Sequence, residues 1–399
     1  MKKDLCVVIG NLEVGGTERH LTMVLPLLVS RGWNVRVLVL SKRGALAPYL
    51  ESNGVPVISV IPEKQLSQIQ KLPRVLARGL RIAYCLIQLA RYFRSEQPTI
   101  LHFFLPEAYV LGMSGAWLAG FKGSKLMSRR SLNTYQLRRK GIAWCEKILH
   151  PHISMALGNS AAIIAQLKAE RIPEDHLRLI YNGINVEPFK QVKPREICRK
   201  ELGIANDALI FIMVANLIPY KGHHDLLEAF NLIQNQLKEN WVLLCVGRDD
   251  GILKALQQSA EQLNVAKHIL WLGSRSDVPD LLSAADIGIL CSHEEGFSNA
   301  ILEGMTAGLP MVVTDVGGNK EAVVEGETGY VVPPKAPKEL ADALLKLASS
   351  PTNIQAFGQL AKARVQQNFS LAACVNAYHK LYEECLEKTA TEVRNICVE

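Results

Sequence analysis

Two glutamates, Glu295 and Glu303, stand eight residues apart in a stretch rich in Gly, Ser and Asn. Each carboxylate can accept two or more hydrogen bonds, which suits the hydroxyls of a sugar or a ribose. Between them, Gly296-Phe297-Ser298-Asn299 leads into a predicted helix that extends to Gly308. The first N–H groups of a helix and the positive end of its dipole attract anions. The stretch therefore predicts an anion site between two hydroxyl acceptors, as a nucleoside diphosphate sugar requires.

Two glutamates at this spacing also have a simpler interpretation. One would be an N-terminal helix charge and the other a solvated surface charge. The surrounding glycines and serines favour the binding interpretation. In the segment NLIPYKGHHDLL, Lys221 stands where a loop meets a helix and is placed to neutralise a diphosphate.

The elements that must position these residues follow a repeated strand–helix order. Apolar runs predict parallel strands at residues 209–215, 241–246, 269–272, 287–291 and 310–316, and amphipathic segments predict helices between them. The chain also begins as a βαβ unit, with a strand at 5–10 and a helix at 18–31 that Thr17 would cap. A chain of 399 residues with this pattern predicts two α/β domains.

The charge divides the chain in the same place. Residues 1–186 contain 25 Lys/Arg and 11 Asp/Glu, whereas the remainder contains 20 and 27, giving net charges of +14 and −7. The expected organisation is a first domain at 1–186, a linker at 187–207 and a second domain at 208–368. A basic domain attracts phosphates, and the lack of a nucleic-acid recognition motif argues against nucleic acid as the partner.

Cysteine usage and the start of the chain predict a cytoplasmic protein. The nine cysteines have no paired or metal-ligand spacing, which is typical of reduced thiols. The N-terminal segment lacks the features of a signal peptide, and no apolar run is long enough for a membrane helix.

Two basic segments carry further hypotheses. Residues 64–94 contain seven Lys/Arg and no Asp/Glu at near-helical apolar spacing. They predict either contact with an anionic membrane surface, more plausible for 64–81, or an ordinary crossover helix, favoured for 83–93. In SRRSLNTYQ, the residues Arg129, Arg130 and Asn133 would hold the phosphate or hydroxyls of an acceptor, with a solvated basic loop as the equal alternative.

The segments EGFSNAILEGMTAGLP and VVTDVGGNKEAV resemble the donor-binding signature of retaining glycosyltransferases of family four. The resemblance implies the GT-B fold, with two Rossmann-like parallel-sheet domains facing each other across a cleft. It also implies that the final helix, at about 369–388, crosses back to the first domain.

The resemblance assigns roles to individual residues. Glu303 would accept from the ribose and Glu295 from the sugar hydroxyls, with Lys221 on the diphosphate. Arg275 would lie near the base, and Gly15-Gly16 would face the donor phosphates. His102 matches a histidine of the acceptor side, but Phe104 replaces the second histidine common in relatives. A phosphate-binding Arg is also missing, since Asn216 and Ile218 occupy its candidate positions; Arg248 or Arg275 would compensate.

The function expected from the resemblance is transfer of a sugar, with retention of anomeric configuration, from a UDP-sugar to a glycan or lipid-linked acceptor. The setting would be surface polysaccharide or lipopolysaccharide synthesis at the cytoplasmic face of the inner membrane. Catalysis would rest on Glu295, Lys221 and His102, without metal or cofactor. The alternatives are a nucleotide-sugar epimerase or phosphorylase on the same fold, or a non-catalytic nucleotide-sugar-binding protein.

Overall fold

The computed structural model describes the backbone of residues 2–396 and the side chains of residues 2–388 other than that of Arg138. The chain forms two compact units. The first combines the chain up to Gly183 with the segment from Leu371 onward, and the second is Ile184–Ser370.

The first unit is built on a parallel sheet of seven strands within the described residues. The strands are β1 (Asp4–Ile9), β2 (Asn34–Val39), β3 (Val57–Ser59), β4 (Ile100–Phe104), β5 (Ser124–Arg129), β6 (Met155–Gly158) and β7 (Leu177–Leu179). Their order across the sheet is β3-β2-β1-β4-β5-β6-β7. Every residue of β1 and β4 is buried, because helices cover both faces of the sheet.

Eight helices precede the second unit in the described chain. They are α1 (Gly16–Val29), α2 (Ala47–Ser52), α3 (Glu63–Gln70), α4 (Arg74–Glu96), α5 (Pro106–Ala119), α6 (Tyr135–Arg138), α7 (Lys140–Leu149) and α8 (Ala161–Ala169). Helix α1 begins at Gly16, with Gly15 as its N-cap. The prediction that Thr17 caps this helix is therefore wrong: Thr17 lies within its first turn.

The second unit repeats the same design with six described strands. They are β8 (Leu209–Val214), β9 (Trp241–Val246), β10 (Ile269–Gly273), β11 (Ile287–Leu290), β12 (Met311–Thr314) and β13 (Gly329–Val332), in the order β10-β9-β8-β11-β12-β13. All pairs are parallel. The helices are α9 (Arg195–Glu201), α10 (His223–Ile233), α11 (Leu253–Gln262), α12 (Val278–Ala284), α13 (Asn299–Thr306), α14 (Asn319–Ala322), α15 (Pro337–Ala348) and α16 (Pro351–Asn368).

The last helix, α17 (Leu371–Ile396), belongs to the first unit. Tyr378 and Tyr382 on this helix are each 1% exposed and form part of the core of the first sheet. Trp33 donates from Nε1 to His379 Nδ1 over 2.9 Å and packs edge-on against Tyr382. These contacts attach the end of the chain to the unit in which the chain begins.

Each sheet has one point at which the strand order reverses. In the first unit it lies between β1 and β4, and in the second between β8 and β11. Ligands of open parallel sheets bind beyond the carboxyl ends of the strands at such a point. Within the described part of the chain, no helix has both the length and the apolar character needed to cross a bilayer.

Candidate functional site

The loops that follow β8 and β11 carry the two charged residues on which the sequence analysis rests. Lys221 lies in the loop after β8, and Glu295 lies in the loop after β11. Because these strands are neighbours in the sheet, their loops meet at its carboxyl edge. The predicted site residues therefore converge on the point where ligands bind in folds of this kind.

Lys221 and Glu295 contact each other directly. Lys221 Nζ lies 2.5 Å from Glu295 Oε1, and the two side chains are 18% and 12% exposed. The Ser292 hydroxyl donates to the same carboxylate oxygen over 2.8 Å. A partly desolvated cation and a carboxylate are thus held side by side, one able to contact phosphate oxygens and the other able to accept from hydroxyls.

The backbone of the two loops is fixed at this point by close packing. Gly222 has a φ of +79°, and a Cβ there would overlap the carbonyl oxygen of Cys291. Only glycine meets both conditions without strain. The N–H of His293 donates to the Tyr220 carbonyl over 2.7 Å, which joins the loops a second time. The result is that Lys221 is held at a fixed distance from the loop that carries Glu295.

The loop after β12 supports the Glu295 loop from the other side. The Thr314 hydroxyl donates to the Ser292 carbonyl over 2.5 Å, and the Gly318 N–H donates to the Gly296 carbonyl over 2.8 Å. Gly317 has a φ of +53°, and a Cβ there would overlap the Glu295 carbonyl oxygen. The loops after β8, β11 and β12, which are neighbours in the sheet, thus fix the position of Glu295.

Helix α13 begins directly after the loop that carries Glu295, and it contains Glu303. Ser298 is its N-cap in an extended conformation, and among the described residues its side chain makes no capping hydrogen bond. The helix N-terminus therefore follows the loop, as predicted. Phe297 packs against Phe369 with ring centroids 5.3 Å apart, which anchors the loop on the body of the unit. Glu303 is half-buried in the second turn.

The two arginines considered as replacements for the missing phosphate cation are engaged locally. Arg275 forms two hydrogen bonds to Asp277, of 2.7 and 2.5 Å. Arg248 contacts Asp250 in the same way, over 2.9 and 3.2 Å. Arg248 follows β9, the neighbour of β8, whereas Arg275 follows β10 one strand further out. Of the two, Arg248 lies closer to the strand-order reversal.

His102 occupies a closed position in the core of the first unit. It is 0% exposed, its Nδ1 lies 2.7 Å from the Tyr382 hydroxyl and its Nε2 lies 2.8 Å from the Ser128 hydroxyl. Burial, followed by the charge of Arg130, lowers the pKa of His102 to about 3. The ring is a neutral structural link between β4 and α17, which does not support the expected catalytic role.

Arg129 is also internal, because it is the last residue of β5 rather than part of an exposed loop. It is 2% exposed and contacts Glu170 over 2.5 and 2.9 Å and Glu146 over 3.4 Å. Burial alone would raise the pKa of Glu170, but hydrogen bonds from His150 and Arg129 outweigh it and hold that pKa at about 2. The expectation that Arg129 binds an acceptor is corrected on this basis: its charge is neutralised inside the unit.

The other two residues of that segment have partners in the same unit. Asn133 donates from Nδ2 to Glu170 over 3.3 Å and belongs to the same buried network. Arg130 is half-buried and donates to the Asn182 side chain over 2.5 Å. Of the three predicted acceptor residues, Arg130 is the one that keeps part of its surface in solvent without a carboxylate partner among the described side chains.

Gly15 and Gly16 lie at the start of α1, beyond the carboxyl end of β1. A Cβ on Gly15 would overlap the carboxylate of Glu18, so that carboxylate covers the helix N-terminus. Burial raises the pKa of Glu18, against the opposing effects of its own backbone N–H and Arg130. The approach of these glycines to donor phosphates stays a prediction.

The sequence analysis missed residues that support the site. One is Ser292, whose hydroxyl donates to the Glu295 carboxylate over 2.8 Å and orients it. His223 follows Gly222 and is 2% exposed; burial, then Lys221, lowers its pKa to about 4. The available signal was position: Ser292 and His223 stand three and two residues from the predicted site residues Glu295 and Lys221. Among the described residues, no group of three or more His, Cys, Asp or Glu side chains is arranged to hold a metal ion.

The two parallel-sheet units, with this site at the edge of one sheet, define a fold class: GT-B. Anabaena Alr3699/HepE in complex with UDP has a TM-score of 0.81 at 21% identity, covering 96% of this chain and 100% of that one. WaaG, a glycosyltransferase involved in lipopolysaccharide biosynthesis, has a TM-score of 0.71 at 18% identity, covering 95% and 99%. Similarities at these identities establish the fold.

Family models account for both halves of the chain. Residues 14–188 match "Glycosyltransferase Family 4", and residues 194–364 match "Glycosyl transferases group 1". The chain belongs to the family-four glycosyltransferases of the GT-B type.

Two curated relatives match this chain over part of their length. The N-acetyl-alpha-D-glucosaminyl L-malate synthase of Bacillus anthracis is 28% identical over 54% of this chain and 55% of its own length. The UDP-Gal:alpha-D-GlcNAc-diphosphoundecaprenol alpha-1,3-galactosyltransferase of Escherichia coli is 25% identical over 74% and 78%. The match thus spans only about half the length of the first relative and about three quarters of the second.

Proposed function

We propose that this protein transfers a hexose, with retention of configuration, from a UDP-sugar to a hydroxyl of a glycan or lipid-linked acceptor. The observation that carries the proposal is the Lys221–Glu295 pair at the strand-order reversal of the second sheet. Support for the donor comes from the UDP bound to the structural neighbour HepE. Support for the acceptor comes from the diphosphoundecaprenol named for the Escherichia coli relative.

The chemical task is to stabilise a departing diphosphate, whose oxygens gain negative charge as the sugar leaves. Fixed positive groups aimed at those oxygens provide the largest part of such catalysis. Lys221 and the N-terminus of α13 are the groups that this unit supplies. Because a lysine and backbone N–H groups fill this role, the proposed reaction needs no metal.

The ion pair also suggests how the site changes when the donor binds. Lys221 Nζ would turn from Glu295 to the diphosphate oxygens, which are the stronger acceptors of its charge. Glu295 would keep the hydrogen bond from Ser292 and use its other oxygen for a sugar hydroxyl. Glu303, in the second turn of α13, would accept from the ribose hydroxyls. Glu295 is then a positioning residue for the sugar.

The proposed location is the cytoplasm, at the inner face of a membrane, in the synthesis of a surface polysaccharide. The net charge of +14 on residues 1–186 supports attraction to a phosphate-bearing acceptor or an anionic surface.

The decisive experiment is a thermal-shift screen with UDP, UDP-glucose, UDP-galactose, UDP-N-acetylglucosamine and GDP-mannose, because a ligand that binds the native state raises the melting temperature. A shift with UDP compounds in the wild type, lost in Glu303→Ala and reduced in Lys221→Ala, is expected. Lys254→Ala, an exposed lysine on α11, is the matched control. The absence of a shift with every nucleotide would contradict the proposal.

A further inference from the structure

A large cavity in the first unit lies outside the site described above. It is a groove of about 1160 Å³ between α3, α4, α5 and α7. Small-molecule sites generally measure ~300–1,000 Å³, so this groove accommodates a ligand larger than a monosaccharide. All of its lining residues belong to the first unit.

The lining combines apolar side chains with an excess of positive charge. The apolar part includes Leu66, Ile82, Leu86, Leu111, Ile142 and Trp144. The charged part contains five cations, which are Arg74, Arg78, Arg81, Arg139 and Lys140, and one carboxylate, Glu107. Arg81 is neutralised by Glu107 over 2.8 Å, whereas the other four cations have no ion-pair partner among the described residues. The complementary ligand is therefore an amphiphile with a hydrocarbon part and a negative charge.

A second, smaller cavity extends this groove toward the carboxyl edge of the first sheet. Its volume is about 220 Å³, and it shares Leu66, Gln70 and Arg81 with the groove. Its other walls are residues that follow β1 and β2: Asn11, Glu13, Ser41 and Lys42. The groove is thus continuous with the loop that leads to the start of α1, at the strand-order reversal of this sheet.

The exposure of the apolar residues distinguishes binding of a single ligand in the groove from contact with a flat bilayer. Most of the apolar lining is recessed, since Leu66 is 6% exposed and Ile82 and Leu86 are half-buried. Trp144 and Leu72, which are 67% and 37% exposed, are the exposed apolar members of the lining. Val75, by contrast, is 88% exposed on the same helix α4 and does not line the groove. A bilayer would contact the protruding residues, whereas a single hydrocarbon chain fits the recessed ones.

We propose that this groove binds the hydrocarbon chain of a phosphate-bearing, single-chain lipid, with the phosphate contacted by the unpaired arginines and lysine. The identification of that lipid as the sugar acceptor rests on the proposed function; binding itself does not. The lipid would lie along α4 with one end toward the β1–α1 loop.

The test is isothermal titration with farnesyl diphosphate, used below its micelle concentration. Farnesol supplies the chain without the charge, and inorganic pyrophosphate supplies the charge without the chain. We expect saturable binding of farnesyl diphosphate to one site, and binding weaker by about tenfold or more for either fragment, because each loses one class of contact.

Two matched pairs of variants locate the site. Ile142→Glu places a carboxylate in the groove, whereas Ile148→Glu changes an exposed residue of the same helix α7 outside it. Arg78→Gln removes a groove cation, and Arg91→Gln removes an exposed cation of the same helix α4. The groove variants should weaken binding about tenfold or more, and the controls less than about twofold. Arg78 is exposed, so its variant remains informative even if Ile142→Glu is unfolded.

Several results would overturn the proposal. These are an absence of saturable binding, equal loss in groove and control variants, or equal affinity for one of the fragments. Binding to phosphatidylglycerol vesicles that Val75→Glu abolishes, with no binding of farnesyl diphosphate, would assign this face to bilayer docking instead. UDP binding, measured in the same samples, distinguishes failure of the proposed function from failure of the groove proposal. Wild-type protein that binds farnesyl diphosphate but not UDP would contradict the proposed function and support the groove.

Discussion

Arg129 and Lys221 are both cations beyond or at the carboxyl end of a parallel strand, and the sequence suggested a ligand for each. In the structure Arg129 contacts two glutamates and has 1% of its side chain exposed. Lys221 contacts one glutamate and has 18% exposed. Arg129 is thus enclosed by two carboxylates, whereas Lys221 has a single counter-charge and keeps solvent access beside the strand-order reversal, as a ligand-binding cation requires.

The largest expected effect comes from removing the buried cation. Arg129→Ala would leave Glu146 and Glu170 buried without their shared partner, which typically costs roughly 3–5 kcal/mol. Urea unfolding should show this loss as a lower midpoint. Arg130→Ala, which removes a half-buried neighbour bonded to Asn182, should cost clearly less. If Arg129→Ala kept full stability and lost only activity with an acceptor, Arg129 would be a ligand-binding residue after all.

The next largest effect is the loss of catalysis expected when Lys221 is removed. Lys221→Ala should lower kcat/KM for the UDP-sugar by ~10²-fold or more, the effect of losing one preorganised donor of positive charge. Its stability should change little, because the pair is partly exposed. Steady-state kinetics and urea unfolding on the same preparation measure both. Wild-type kinetics in Lys221→Ala would remove the distinction between the two cations.

The comparison also shows what the sequence could and could not predict. Both parallel sheets and the return of the last helix to the first unit were predicted, since apolar strand runs and the family-four motifs are local signals. The environment of Arg129 was not, because Glu146 and Glu170 stand 17 and 41 residues away and nothing local pairs them with it. The Lys221–Glu295 contact joins residues 74 apart for the same reason. Local sequence patterns predict helices and strands, whereas the ion-pair partners of a side chain depend on the order of the strands in the sheet.

Substitution of two glycines tests whether donor binding depends on the position of the Glu295 loop. Gly317→Ala should overlap the Glu295 carbonyl in addition to straining a left-handed φ of +53°. Gly273→Ala strains a similar φ of +63° but meets no atom within 4 Å. Gly273→Ala should therefore cost about 1–2 kcal/mol of stability with unchanged kinetics, while Gly317→Ala should cost more and raise the donor KM. Equal effects of the two substitutions would show that backbone strain, and not the position of Glu295, governs the site.

The last comparison concerns the pH dependence of the stability of each unit. The pKa of His102 is about 3 in the folded protein and ~6.5 for an unperturbed histidine, so the unfolded state alone is protonated between these values. Stability is therefore fully present above pH ~6.5 and falls as the pH decreases toward 3, by at most about 1.4 kcal/mol per pH unit for this residue. His20, whose pKa is lowered by burial first and Arg130 second, acts in the same direction.

His102→Gln should reduce this pH dependence in the first unit and leave that of the second unit, which contains His223, unchanged. Glutamine can still donate and accept toward Tyr382 and Ser128, so the packing is largely kept. Urea unfolding at pH 7.5, 6.5, 5.5 and 4.5, followed by amide hydrogen exchange resolved by mass spectrometry, measures each unit separately. The exposed His152 provides the control variant His152→Gln. An unchanged slope in the first unit of His102→Gln would mean that His102 titrates normally, and its assignment as a neutral structural link, in contrast to the charged Lys221 site, would be wrong.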